Sequence, residues 1–178
     1  MMAIKLETDR LELREFKIED KTKLHNICGE NHILKWMPDW NVDIDIREKW
    51  IKWVNENYTT SNSDNVRIML AIELKSNKEL IGMIGVGNKE EVDNEVEIAF
   101  FITKGRMNNG YISEAGTVMS IWAIEHFCLE YLMAIADVYN YASQRVLDKV
   151  GFKKIGEKEI LNSGESQKKL YYYYRYYK

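Results

Sequence analysis

The sequence predicts an α+β domain built of packed layers. Three observations predict it. Two helical segments open the chain, a meander of strand-like segments separated by turn residues follows, and a strand-helix-strand unit comes after that. No repeat or low-complexity linker divides the 178 residues, so residues 1–178 read as one domain with enough chain to bury a substantial core.

Each element has its own justification. Leu11 to Phe16 alternates apolar and polar residues, as a half-buried strand does. KIEDKTKLHNICG follows as a short helix ending near Gly29. HILKWMPDWN holds the only proline, Pro38, beside Trp36 and Trp40, and reads as a loop rich in large side chains. In DIDIREKWIKWVNENY, Ile46, Trp50, Trp53, Val54 and Tyr58 fall close to one helical face. VRIMLAIEL and ELIGMIGVG read as two strands around the turn residues 75–78, and a turn at Asp93-Asn94 leads to a third, VEIAFFI. A helix then runs from about Gly110 to Phe127, where Val118, Ile121, Trp122 and Phe127 recur at helical spacing. LMAIADVY is an apolar strand, and ASQRVLDKV a helix closed by Gly151, a residue that tolerates positive φ. FKKIGEKEI and KLYYYYRYY finish the chain as strands around an Asn162-Ser163-Gly164 turn.

Composition narrows the function. Apolar content of 46% with 30% charged residues is ordinary for a soluble globular protein, and a net charge of -3 argues against nucleic acid. Cys28 and Cys128 are too few for a disulfide framework. MMAIKLETDRLELRE lacks an apolar signal core, and no window approaches the roughly 18 apolar residues of a membrane helix. A cytoplasmic, reduced protein is the expectation.

One stretch carries chemistry. Between the strand ending at Ile102 and the helix to Phe127 lies Arg106-Met107-Asn108-Asn109-Gly110. Asn-Gly is a hairpin signal, but helical periodicity follows it and no partner strand does. The first amides of a helix lack internal partners and carry the positive end of its dipole, so they bind phosphate where backbone can come close. Gly110 supplies that approach, and Arg106 adds charge.

With Asn140 and Ser143 just beyond LMAIADVY, the layout resembles the GCN5-related N-acetyltransferase (GNAT) superfamily, in its ribosomal-protein N-terminal (RimJ/RimL-like) branch. The resemblance runs through most of the chain: Thr8-Asp9-Arg10-Leu11 with Leu13-Arg14, Leu80-Ile81-Gly82, Val96-Glu97-Ile98, Gly110-Tyr111-Ile112-Ser113-Glu114-Ala115, Asn140 with Ser143, and Lys149-Val150-Gly151-Phe152. It implies a mixed, mostly antiparallel central sheet, helices on both faces, and a V-shaped opening between two strands for acetyl-CoA. It also implies direct transfer of acetyl from acetyl-CoA to a primary amine, either a protein N-terminus, as on ribosomal proteins, or a small amine.

What the resemblance implies for single residues follows its motifs. Met107, Asn108, Asn109, Gly110, Tyr111, Ile112 and Ser113 form the pyrophosphate loop, with amides from Asn108 to Ile112 as donors. Met107 and Ile112 stand where the family usually has Gln or Arg and Gly or Ala, and Asn108 replaces a residue that is often glycine. Phe100, Phe101 and Ile102 pair with the pantetheine arm as an added strand would. Asn140 lines the coenzyme channel and Ser143 hydrogen-bonds coenzyme or sulfur, while both suit helix capping as well. The attacking amine needs a proton acceptor, and Glu97 is the candidate, sharing a strand face with Ala99 and Phe101. Glu95 lies on that face too and is the fallback. The position of the family's tyrosine acid is Leu147, so Ser143 is first candidate to protonate the leaving thiolate, ahead of Tyr139 and Tyr141.

Other features carry less. GMIGVG is not the dinucleotide pattern and no helix follows it, so crowding or a bulge in a strand explains its glycines. His25, Cys28 and His32 fit no standard metal spacing. Trp36, Met37, Trp40, Trp50 and Trp53 are core or acceptor-pocket wall, and acids at Glu30, Asp39, Asp43 and Asp45 suit a cationic acceptor. The tyrosine-rich last strand covers a sheet edge or makes a homodimer contact. The alternative to an enzyme is an acetyl-CoA-binding regulatory protein without turnover.

Overall fold

The computed structural model describes residues 3–162 and 166–178. Eight strands form one sheet in the order β1-β2-β3-β4-β5-β6-β8-β7. The strands are β1 (Lys5–Glu7), β2 (Leu11–Arg14), β3 (Arg67–Leu74), β4 (Leu80–Lys89), β5 (Glu95–Ile102), β6 (Leu132–Asp137), β7 (Lys153–Ile160) and β8 (Lys169–Tyr176). Neighbours pair antiparallel everywhere except β5 with β6. Helices α1 (Lys21–Cys28), α2 (Asn31–Leu34) and α3 (Ile44–Thr60) precede the meander; α4 (Tyr111–Phe127) joins β5 to β6, and α5 (Tyr141–Val150) follows β6. The expected α+β architecture, mostly antiparallel and helix-covered, is what forms.

The core explains why. Leu11, Leu13, Ile68, Leu70, Ile72 and Ile84 are all at most 1% exposed, and Met119 and Ala123 of α4 close over them. Burial of this kind on both faces is the main term that holds a layered sheet. The glycines of β4 answer to crowding: a Cβ on Gly82 would lie 2.2 Å from the Phe101 carbonyl oxygen, and one on Gly85 would lie 2.1 Å from Met69 Sδ. A register shift between Ile72 and Glu73 puts a bulge beside the first of them.

Two local expectations need correction. Residues 31–40 are not plain loop: α2 and a single 3₁₀ turn, Pro38–Trp40, occupy them. Ile18–Asp20 is also 3₁₀, so α1 starts later than the sequence pattern indicates. The short β1 was unforeseen; it pairs with β2 through Lys5↔Arg14 to Glu7↔Glu12. The tyrosine strand β8 covers the edge of β6, as one of the two expectations had it. It pairs with β6 on one side and β7 on the other, which leaves it no free edge for a second copy. The physical reason is burial on both faces: Tyr171, Tyr173 and Tyr174 are at most 9% exposed. The outer place goes to β7, whose Lys153, Lys154, Glu157, Lys158 and Glu159 make a charged edge that resists strand addition. Part of the expected 162–164 turn lies outside the described residues.

One buried ion cluster ties β2 to β3 and to the turn before α1. Arg14 donates to both Asp20 oxygens at 2.7 and 2.9 Å and to Glu73 Oε2 at 2.7 Å. The Asp20 hydrogen bonds, outweighing burial, hold the guanidinium pKa above its ordinary value. Removing the cation strands two buried carboxylates. Arg14→Leu is expected to lower unfolding free energy by about 3 kcal/mol, read from urea denaturation midpoints.

Candidate active site

Strands β5 and β6 run parallel but touch through a single pair, Glu97↔Met133. Beyond it they diverge. Residues 98–102 of β5 and 134–137 of β6 become the two walls of a cleft of about 850 Å³. The inner edge of β5 is fully paired with β4, down to Gly82↔Ile102, so its outer edge faces the gap. Ala134 and Ala136 keep the opposite wall shallow. Phe100, Phe101 and Ile102 all line this cleft, as expected. Phe101 also packs edge-on against Trp40, ring centroids 5.0 Å apart, and the Ile102 carbonyl accepts from His32 Nε2 at 2.9 Å.

The mouth of the cleft is the start of α4. Gly110 is its N-cap at φ 78°, and Asn108 is also left-handed at φ 62°. Successive amides in such a conformation converge on an anion. Among the described residues, no hydrogen bond uses the backbone amides of residues 108–113. Met107, Asn108, Gly110, Tyr111, Ile112 and Ser113 line the cleft. Ile112 is 6% exposed and packs into the core, which accounts for an apolar residue at that position.

Two members of the loop behave differently from expectation. Asn109 does not line the cleft; its side-chain amide turns back to the carbonyls of Arg106 and Met107. Arg106 lines the cleft, but its guanidinium is bound to Glu79, so its charge is largely matched.

A clamp that sequence reasoning missed fixes this helix start. Glu114, in the first turn of α4, accepts from the Arg10 amide at 3.0 Å, from Arg10 Nε at 2.7 Å, and from the Thr8 hydroxyl. Burial opposes ionisation of Glu114, yet these hydrogen bonds prevail and its pKa lies below the ordinary value. The Arg10 guanidinium also covers the Tyr111 ring at 4.5 Å and donates to the Asn109 carbonyl at 3.0 Å. On the other flank, Glu30 holds the Thr103 hydroxyl and the Lys104 amide. That commits Glu30 to the loop rather than to an acceptor. The signal for the Arg10–Glu114 pair was present only as two separated motif residues.

Glu97 sits at the point where the strands part. Its carboxyl is 19% exposed. Burial pushes it up to about 7; Glu91 adds to this, while Lys89 and the Ile135 amide oppose it. Lys89 Nζ stands 4.0 Å from Glu97 and 3.4 Å from Glu91. On the sheet face of Ala99 and Phe101 there is a second depression of about 270 Å³, and Lys89, Glu91, Glu97 and Ala99 line both spaces. The fallback, Glu95, is engaged elsewhere: it accepts from the Tyr173 hydroxyl and lies 3.6 Å from Arg175.

Helix α5 closes the other side. Asn140 caps it by accepting from the Ser143 amide at 3.2 Å, and both residues line the cleft, so capping and lining coexist. Leu147 is there too, 1% exposed, while Tyr139 and Tyr141 are 72% and 62% exposed and turned away from the cleft. Of the aromatic group, Trp36 and Met37 line the cleft, Trp40 and Trp50 meet edge-on against the core with ring centroids 5.3 Å apart, and Trp53 is exposed.

The sequence matches the acetyltransferase (GNAT) domain over residues 10–153, and the chain belongs to that family. It is an N-acetyltransferase, a class whose cosubstrate is acetyl-CoA. A relative in Bacillus subtilis, the uncharacterized N-acetyltransferase YnaD, is 27% identical over 167 residues, 93% of each chain. The fold matches a GNAT-family acetyltransferase from Bacillus anthracis at TM-score 0.80 and 20% identity, covering 98% of both chains. It also matches RimL, a ribosomal L7/L12 alpha-N-protein acetyltransferase in complex with coenzyme A, at TM-score 0.76 and 16% identity, covering 96% and 95%.

The raised carboxyl links Glu97 to stability. Its pKa is above the unfolded value, so its favourable contribution is complete below about pH 4.5 and is lost as pH rises through about 7. Glu97→Gln is therefore expected to gain roughly 2 kcal/mol relative to the parent at pH 8, with the difference shrinking toward pH 4. Denaturant melts at both pH values measure it.

Proposed function

We propose that this chain transfers acetyl from acetyl-CoA to a primary amine by direct attack, with Glu97 accepting the amine proton. One observation carries the reading: a largely buried carboxyl, its pKa pushed up to about 7, lines both the strand cleft and the adjoining depression on the face of β3 to β5. A base poised near the working pH is what proton removal from an ammonium needs.

In this reading the amides of residues 108–113 cradle the coenzyme pyrophosphate, aided by the α4 dipole. The outer edge of Phe100 to Ile102 takes the pantetheine arm as an added strand. Asn140 and Ser143 line the arm from α5. The amine nitrogen attacks the thioester carbon, the C–S bond breaks, and the amine proton passes to Glu97. Ser143 is the group nearest in kind to protonate the departing thiolate, since Leu147 offers no proton. Residues 1–178 act as one acetyltransferase domain.

The acceptor enters through the depression beside Glu97. The likeness to ribosomal-protein acetyltransferases supports a protein N-terminal amine, and a small amine fits the same chemistry. A reducing, cytoplasmic setting suits the cysteines: Cys28 is buried with its thiol pushed up to about 12, and Cys128 is free. No helix among the described residues is long and apolar enough to cross a membrane.

Glu97→Gln is expected to lower kcat by about 10²- to 10³-fold and leave acetyl-CoA affinity within about twofold. The parent rate should rise with pH and level off above about 7, as Glu97 loses its proton. Steady-state kinetics with calorimetric titration of acetyl-CoA read both effects. An unchanged rate in the variant removes Glu97 from the mechanism.

A further inference from the structure

The depression beside Glu97 has an ordered floor. Arg67, Gly87 and Glu97 stand opposite one another on β3, β4 and β5, and Met69, Gly85 and Ala99 form the next row on the same face. Two strand spacings, about 10 Å, separate the backbones of Arg67 and Glu97. Both glycines lie between, so no side chain of β4 fills the space. The side chains of β3 lean into it instead: a Cβ on Gly87 would stand 3.2 Å from Arg67 Nη1, and Met69 Sδ lies above Gly85.

The charges at the two ends differ. Near Glu97 are Glu90, Glu91 and Lys89, with Lys89 engaged by Glu91 and Glu97. At the other end Arg67 donates to the Asn88 carbonyl at 2.7 Å and, among the described residues, forms no salt bridge. Arginines elsewhere on this sheet are matched, as Arg14 is by Asp20 and Glu73. The fork of a guanidinium suits a carboxylate.

We infer that the acceptor is a zwitterionic amine of amino-acid or dipeptide size, with its carboxylate on Arg67 and its amine at Glu97. This rests on the transfer reading above and adds the substrate class. A polyamine would set a second ammonium against Arg67, which repels it. An uncharged amide at the same position forfeits a charge-assisted hydrogen bond. The reaction balances without further reactants: the ammonium gives one proton to Glu97, the freed amine forms the N–C bond, the C–S bond breaks, and the second proton lost from nitrogen ends on the departing thiolate. The product keeps its carboxylate on Arg67 until it leaves.

The test is an acceptor panel with acetyl-CoA: amino acids and dipeptides, each as free acid and as C-terminal amide, together with spermidine. Coenzyme A release and product mass are followed. At least one free acid is expected to exceed its amide in kcat/KM by about 10-fold or more. Arg67→Met should erase that preference while leaving acetyl-CoA affinity unchanged, which also verifies the fold. Gly87→Ala, which crowds the guanidinium, should raise KM for the free acid more than for the amide. Transfer to spermidine or to amides as efficient as to free acids, still dependent on Glu97, overturns the acceptor class and leaves acetyl transfer standing. No transfer to any amine, with acetyl-CoA bound, overturns both.

Discussion

A parallel sheet pair normally gains one evenly spaced hydrogen-bond ladder along its length. Here β5 and β6 keep that ladder only at Glu97↔Met133 and then give it up. The backbone groups they expose must find partners elsewhere, because a buried and unpaired amide is costly. That requirement organises the neighbourhood. β6 is held along all six residues by β8, and β5 by β4, so each strand is anchored on its far side while the gap stays open. Two polar clamps fix the mouth: Arg10 and Thr8 grip Glu114 at the start of α4, and Glu30 grips residues 103–104. A cleft held open by paired strands and ion pairs is already shaped for an extended ligand, and little ordering is left for binding to supply.

The same split sets the chemistry. Glu97 sits where the strands part, with Lys89 Nζ 4.0 Å from its carboxyl, and both Lys89 and the Ile135 amide favour its ionised form. Burial nevertheless prevails and keeps the group near neutrality. A carboxylate in such surroundings destabilises the ionised fold at high pH. The glycines of β4 contribute in a similar way. Gly85 and Gly87 offer little to a strand by propensity, yet their missing side chains create the hollow into which Arg67 and Met69 lean.

Much of this was legible in the sequence. Alternation gave β2, strand-like runs between turn residues gave β3 to β5, and helical spacing after Gly110 separated α4 from the hairpin that Asn109-Gly110 also allows. The cleft-lining positions followed from motif order, apart from Asn109. What escaped shares one cause: it depends on pairing between distant segments. Nothing in KLYYYYRYY says that it lies inside the sheet and the charged strand before it outside. Thr8 and Glu114 are 106 residues apart, and Arg67 meets Glu97 only through the registers of β3 with β4 and β4 with β5. Residues 31–40 escaped for a different reason, since a four-residue helix and one 3₁₀ turn are too short to show a period.

Amide-resolved hydrogen exchange with ligand tests the parted strands most directly. With acetyl-CoA, exchange should slow both along residues 100–102 and across residues 108–113. With S-acetylpantetheine, which lacks the pyrophosphate, only the first group should respond. Slowing of neither group, or of the β7–β8 end instead, would contradict a coenzyme seated in the β5–β6 gap.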